Sequence, residues 1–186
     1  MMVVGLWQVD KKLGEGGSGA VYKALNIERN QLVALKAESN FVQGGSFLKI
    51  EADILTRLAG KRHMALLFDA GKNSTFHWIV MSLLGRSVNA LLKKCDRRFS
   101  PSTQLRIALH ALHGLKQLHE IGYVHRDVKP GNLALGRLPA TDPNIVHLLD
   151  FGMARQFVVE NDSGEPVMRA PRARCHFRKG IRVLKR

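Results

Sequence analysis

His125-Arg126-Asp127-Val128-Lys129-Pro130-Gly131-Asn132 is the stretch that decides the reading. It matches the pattern H-R-D-x-K-x-x-N at every fixed position. An isolated Asp of this kind is a turn residue, but a turn does not explain the other matches. The pattern suits phosphoryl transfer, whose chemistry is mostly positioning and charge stabilisation. Asp127 can accept a hydroxyl proton, Lys129 can neutralise charge on the transferring group, and Asn132 offers an amide oxygen to Mg2+.

Downstream, an apolar strand over Ile145–Leu149 leads into Asp150-Phe151-Gly152. Asp150 is a second oxygen ligand for Mg2+, and Phe151 is expected to pack inward beneath the first helix. Asp127 and Asp150 in this order and context are far more specific than either alone.

Upstream, Gly14-Glu15-Gly16-Gly17-Ser18-Gly19 fits G-x-G-x-x-G. A dinucleotide-binding loop would need a helix next, whereas Ala20-Val21-Tyr22-Lys23 reads as a strand. Strand–loop–strand is the context of a lid over ATP phosphates, where Gly14, Gly16 and Gly19 let backbone N–H groups approach an anion. Val21 would cover the base. In Val33-Ala34-Leu35-Lys36, a lysine ends an apolar run, and a buried ammonium needs partners. ATP phosphates would be one; Glu51, in the middle of the next helix, is the best candidate for the other. Glu38 lies on the same strand and would face its own surroundings. Ala34, Met81 and Leu83 are expected to line the nucleotide pocket.

Periodicity predicts a hairpin around the glycines and a third strand over Gln31–Ala37. Phe47–Leu58 is an amphipathic helix with Phe47, Ile50, Ile54, Leu55 and Leu58 on its apolar face, and Ala65–Ala70 and Phe76–Met81 are strands. Val88–Lys94 is a short helix. Ser100-Pro101 opens a helix of about 20 residues with a stripe of Leu105, Ala108, Leu112, Leu115 and Leu118, ended by Gly122. His110 and His113 on it lack a third ligand at metal spacing and read as helix-surface residues. Trp7 and Trp78 read as packing residues.

The net charge of +14 suggests a nucleic-acid partner, but its distribution argues otherwise. All fifteen carboxylates precede residue 169, while the last 18 residues hold eight Lys and Arg. That segment reads as a solvated, poorly ordered basic end. No specific nucleic-acid or membrane partner is expected. Cys95 and Cys175 have no ligand spacing, which fits a reducing compartment, cytoplasmic or nuclear. The start of the chain does not read as a secretory signal, and no apolar run reaches membrane-spanning length.

The order of these elements resembles the protein kinase superfamily over Leu6–Phe157. Within it, the casein kinase 1 group and its tau-tubulin kinase-like branch are most similar. The local matches are Val33–Glu38, Leu48–Glu51, Leu84–Val88, Val124–Asn132, Met153–Phe157 and Arg169–Arg172. Lys129 resembles Ser/Thr kinases. The resemblance implies an α+β two-lobed fold, with a small lobe over 6–84, part of a helical large lobe over 85–168 and a basic tail over 169–186. It also implies Mg-ATP as donor and Ser/Thr hydroxyls of proteins as acceptors. Arg169, Arg172 and Arg174 would favour acidic or already phosphorylated substrates.

Three departures stand out. Ser18 replaces an aromatic common at the tip of the lid, and Gly131 adds freedom beside Asn132. After Phe177-Arg178 the family's substrate platform is not recognisable. The helical base of the large lobe is then also missing, so apolar surface on the long helix is expected to be exposed. The alternative reading is a nucleotide-binding or interaction module without turnover.

Overall fold

The computed structural model describes residues 3–16, 19–41, 46–139 and 141–170. Ser18, Arg172, Arg174 and most of the basic tail lie outside the described residues. The fold is α+β. Strands β1 (Val3–Val4), β2 (Trp7–Gly16), β3 (Gly19–Asn26), β4 (Gln31–Ser39), β5 (Leu67–Lys72) and β6 (Phe76–Ser82) form an antiparallel sheet in the order β1-β2-β3-β4-β6-β5. The glycine-rich turn joins β2 to β3, with Gly16 opposite Gly19. A Cβ at Gly19 would stand 2.2 Å from the Ala37 carbonyl oxygen, and its φ of +102° also requires glycine.

Alternation along β4 sorts the sheet's two faces. Val33 and Leu35 join Val4, Trp7, Ala24 and Val80 in a cluster on one face. Ala34, Lys36 and Glu38 alternate with them and turn to the other face, where helix α1 (Phe47–Arg57) packs. Trp7 is buried as expected, and its Nε1 donates to Asp69 at 2.7 Å.

Helix α1 starts at Ser46, whose hydroxyl accepts from Lys49 N. Its buried face is Leu48, Glu51, Ile54 and Leu55, followed by Leu58. Leu48 therefore takes the place expected for Ile50, which is exposed. The strand expected over 65–70 begins later, at Leu67, because Met64 instead bridges to Leu148 and Ala65 fills the core.

Below the sheet lie α2 (Val88–Lys94) and α3 (Pro101–Glu120), capped by Ser87 and Ser100. Short strands follow: β7 (Tyr123–Val124), β8 (Leu133–Leu135), β9 (Val146–Leu148), β10 (Arg155–Gln156), β11 (Val158–Glu160) and β12 (Pro166–Met168). Pairs β7–β10, β8–β9 and β11–β12 are antiparallel. Gly122, at φ +81°, turns the chain out of α3, with its N–H on the His119 carbonyl.

The stripe expected on α3 merges two faces that the structure separates. Ile107, Ala111, Gly114, Leu115 and Leu118 face the core. Leu105, Leu109 and Leu112 are 62%, 46% and 60% exposed, and Ala108 is exposed beside them. Both sets are helical in period, so apolar identity alone could not divide them. His110 is not a surface residue either: it is half-buried, and its Nδ1 accepts from Val146 N at 3.2 Å. Its ring lies 5.3 Å from that of His63, which is 5.7 Å from His113. No group of three or more His, Cys, Asp or Glu side chains placed to hold a metal ion occurs among the described residues, so the histidines do not form one.

Candidate active site

Lys36 comes from the centre of the sheet, where both neighbouring strands satisfy its backbone and its side chain must leave the apolar layer. Its Nζ lies 2.6 Å from Glu51 Oε2 and 2.9 Å from Asp150 Oδ1. Burial alone would depress the ammonium, but the two carboxylates outweigh it and hold its pKa above the usual value. Burial likewise opposes ionisation of Asp150, yet Lys36 holds that carboxyl below its ordinary range. Full burial pushes Glu51 up, against the pull of Lys36.

Glu38 does something the sequence did not reveal. Its carboxylate accepts from Ser46 Oγ at 2.8 Å and from the backbone N–H groups of Phe47 and Leu48 at 3.3 and 3.2 Å. It thus caps the free donors at the start of α1. The S/T/D/N rule finds Ser46, but a cap reached from another strand leaves no local signal.

The segment His125–Asn132 forms a compact knot. His125 is buried, and burial lowers its pKa, so the ring is neutral near pH 7. Its Nε2 lies 3.0 Å from the Leu149 carbonyl, which can only accept, while Nδ1 accepts from Asp127 N at 3.3 Å. One tautomer, protonated on Nε2, serves both contacts and ties the Asp127 backbone to the strand entering Asp150. Lys129 Nζ and Asn132 Nδ2 reach Asp127 Oδ2 at 2.6 and 3.0 Å. Asp127 Oδ1 is left without a partner among the described residues. Asn132 spends its amide N–H groups on Asp127, which leaves Oδ1 as an acceptor.

Arg126 (φ +67°) and Asp150 (φ +64°) both occupy the left-handed region, which costs side chains like these about 1–3 kcal/mol each. Arg126 is held there by its Nε donating to the Met153 carbonyl at 2.6 Å. Phe151 is buried, 5.4 Å from the His125 ring by centroids, and belongs to the same core cluster as Leu55.

These groups open on one cavity of about 740 Å³ between the sheet and the lower half. The residues expected from the sequence to act in transfer or to hold nucleotide or metal all line it: Gly14, Gly16, Gly19, Val21, Ala34, Lys36, Glu51, Met81, Leu83, Asp127, Lys129, Asn132 and Asp150. Leu13, Gly85 and Met153 also line it; Gly85 and Met153 fall in segments matched to the family, but none of the three was expected at the cavity. The donors fit Mg-ATP. A Cβ at Gly14 or Gly16 would meet nothing within 4 Å, so the hairpin leaves open room beside the lysine. The residual oxygens of Asn132 and Asp150 suit a hard cation, and Lys36, Arg126 and Lys129 against Glu15, Glu51, Asp127 and Asp150 leave negative charge for it to balance.

The comparisons agree with this geometry. The family model described as protein kinase domain matches residues 7–173. A Caenorhabditis elegans chain named as a serine/threonine-protein kinase is 43% identical over 173 residues, covering 92% of this chain and 50% of the relative. A casein kinase I of the same organism is 35% identical over 159 residues, covering 83% and 46%. Casein kinase I homolog 3 of Schizosaccharomyces pombe is 34% identical over 158 residues, covering 83% and 35%. The chain thus spans half the length of the first of these relatives and less of the others. With a buried Lys36–Glu51 pair, an Asp127–Asn132 knot and a match over nearly its whole length, the chain belongs to the protein kinase family, with relatives in the casein kinase I group.

Proposed function

We propose that this chain is an ATP-dependent serine/threonine kinase of the tau-tubulin kinase-like branch, transferring the γ-phosphoryl group of ATP to Ser/Thr hydroxyls of proteins. The observation that carries the reading is the meeting of Lys36, Glu51, Asp127, Lys129, Asn132 and Asp150 at one cavity. Asp127 takes the hydroxyl proton of the substrate on its free Oδ1 and aims the attacking oxygen. Lys129 holds Oδ2 and offsets charge on the transferring group. Lys36, fixed by Glu51, binds ATP phosphates, and the glycine hairpin covers them. Asn132 and Asp150 would hold Mg2+, which supplies positive charge against the phosphates.

On this reading 6–84 is the small lobe and 85–168 part of the large one. Substrates are cytoplasmic or nuclear proteins, acidic or already phosphorylated near the acceptor. Arg169 supports that preference; Arg172 and Arg174, which share in it, lie outside the described residues.

The test is transfer from Mg-ATP to Ser-containing acidic and neutral peptides. Asp127→Asn should lower turnover by at least about 10²-fold and keep nucleotide binding. Normal turnover in that variant would refute the role of Asp127, and equal rates on both peptides would remove the acidic preference. The exposed Leu105, Leu109 and Leu112 favour a second reading, a nucleotide-binding interaction module. Its signature is a thermal shift with Mg-ATP and no phosphoryl transfer by the same sample.

A further inference from the structure

Tyr123 stands at a junction that phosphoryl transfer, as described, does not use. It opens β7, two residues ahead of His125, and its ring is 8% exposed. Its hydroxyl donates to Asp53 Oδ2 at 3.2 Å, joining α1 to a strand 70 residues later. Arg57, one turn beyond Asp53 on α1, approaches the same carboxylate with Nε at 3.0 Å. Its guanidinium lies 5.8 Å from the centroid of the Tyr123 ring. The three side chains close a triangle across two elements.

Neither half of the triangle explains itself. Asp53 and Arg57 are both about half exposed, and an i, i+4 pair in that setting adds little. A buried ring at position 123 needs no hydroxyl to fill its space. Burial and the Asp53 charge both push the Tyr123 pKa up, so the hydroxyl keeps its proton and stays a donor. What the hydroxyl gains is a hold on α1 from below. Asp53 follows Glu51 by two residues, which is about 200° around a helix. Lys36 holds one flank of α1 through Glu51; Tyr123 holds nearly the opposite flank through Asp53.

We propose that Tyr123 is a positioning residue: its hydroxyl fixes the rotation of α1 against the strand entering the catalytic loop, and so keeps Glu51 on Lys36. Arg57 shields the contact and orients the carboxylate. The effect on nucleotide binding rests on the kinase reading; the effect on α1 does not.

The experiment compares the full chain with Tyr123→Phe, Asp53→Asn, Asp53→Ala and Glu51→Gln. It measures hydrogen–deuterium exchange over 47–57 and the affinity for Mg-ATP. Tyr123→Phe keeps the ring, so the melting temperature should fall by no more than a few degrees. Exchange in α1 should rise and nucleotide affinity fall by about 3- to 10-fold, the range that one hydrogen bond supplies. Asp53→Ala should behave alike, whereas Asp53→Asn keeps an acceptor for the hydroxyl and should stay near the parent. Because Tyr123 acts through Glu51, adding Tyr123→Phe to Glu51→Gln should cost no further affinity. Unchanged α1 exchange in Tyr123→Phe, or losses that simply add, would overturn the proposal. Should even the parent chain fail to bind Mg-ATP, the nucleotide reading falls, and the exchange data still decide the role of Tyr123.

Discussion

Lys36 and Asp150 lie 114 residues apart in the chain and 2.9 Å apart in the fold. One belongs to the sheet and the other to the turn after β9, so their contact joins the two halves on either side of the cavity. Glu51 completes it from α1.

Removing the ammonium should therefore be felt twice. Lys36→Met leaves two carboxylates facing one another, one of them fully buried. Breaking a buried pair in this way costs about 3–5 kcal/mol, moderated here because Glu51 can take up a proton. Urea unfolding should show that loss, and Mg-ATP titration should show weaker binding. A variant as stable as the parent would mean that the pair is not buried as described.

Two glycines of the same hairpin should respond in opposite ways. Gly19→Ala puts a methyl against the Ala37 carbonyl at a positive φ, so stability should fall by about 1–3 kcal/mol. Gly16→Ala meets no atom within 4 Å and should leave stability nearly unchanged. Its methyl stands beside the cavity, so nucleotide affinity should drop instead. Thermal melts with and without Mg-ATP separate the two.

Acid should weaken the fold in two stages. His110, His125 and His147 all have pKa values lowered by burial, below the ordinary 6.5 of the unfolded chain. The unfolded chain then binds more protons, so stability falls as pH drops through 6.5 toward the folded values. Asp150, lowered by Lys36, contributes stability above its ordinary 3.8 that is lost only at still lower pH. His110→Asn keeps an acceptor for the Val146 N–H and should flatten part of the first stage, read from unfolding free energy between pH 7 and pH 5. Arg62, Arg106, His63 and His113 face His110 and favour its neutral form.

The two faces of α3 should separate by mutation. Leu118→Ala, in the core, should cost about 2–5 kcal/mol. Leu112→Lys, on the exposed face, should change stability by no more than about 0.5 kcal/mol. It should also reduce self-association in light scattering, because it breaks the exposed apolar face of Leu105, Leu109 and Leu112.

Motif chemistry in the sequence named residues from Gly14 to Asp150 that the fold gathers at one cavity, because each pattern carries its reason in adjacent residues, while Leu13, Gly85 and Met153 at the same cavity were missed. The element order was legible for the same reason: caps, glycine turns and helical spacing are local. The errors arose where the decision was made by distant chain. Leu48 displaced Ile50 because Glu51 had to face Lys36. Leu105 and Leu112 lost their place in the core because β9 and His63 pack on the opposite side of α3 at Gly114. His110 was drawn inward by a backbone N–H of Val146, 36 residues later.

Glu38 and Lys36 grip the same helix from one strand, two residues apart, at its first turn and at Glu51. Two strand residues advance about 6.6 Å, and the four helical residues from Phe47 to Glu51 advance about 6 Å. The two advances match over this short span. Inserting or deleting one residue between 47 and 51 would swing Glu51 about 100° around the axis while the cap held. The start of α1 is thus a gauge of fixed length, and natural or engineered variation in the loop before it should stop at Ser46.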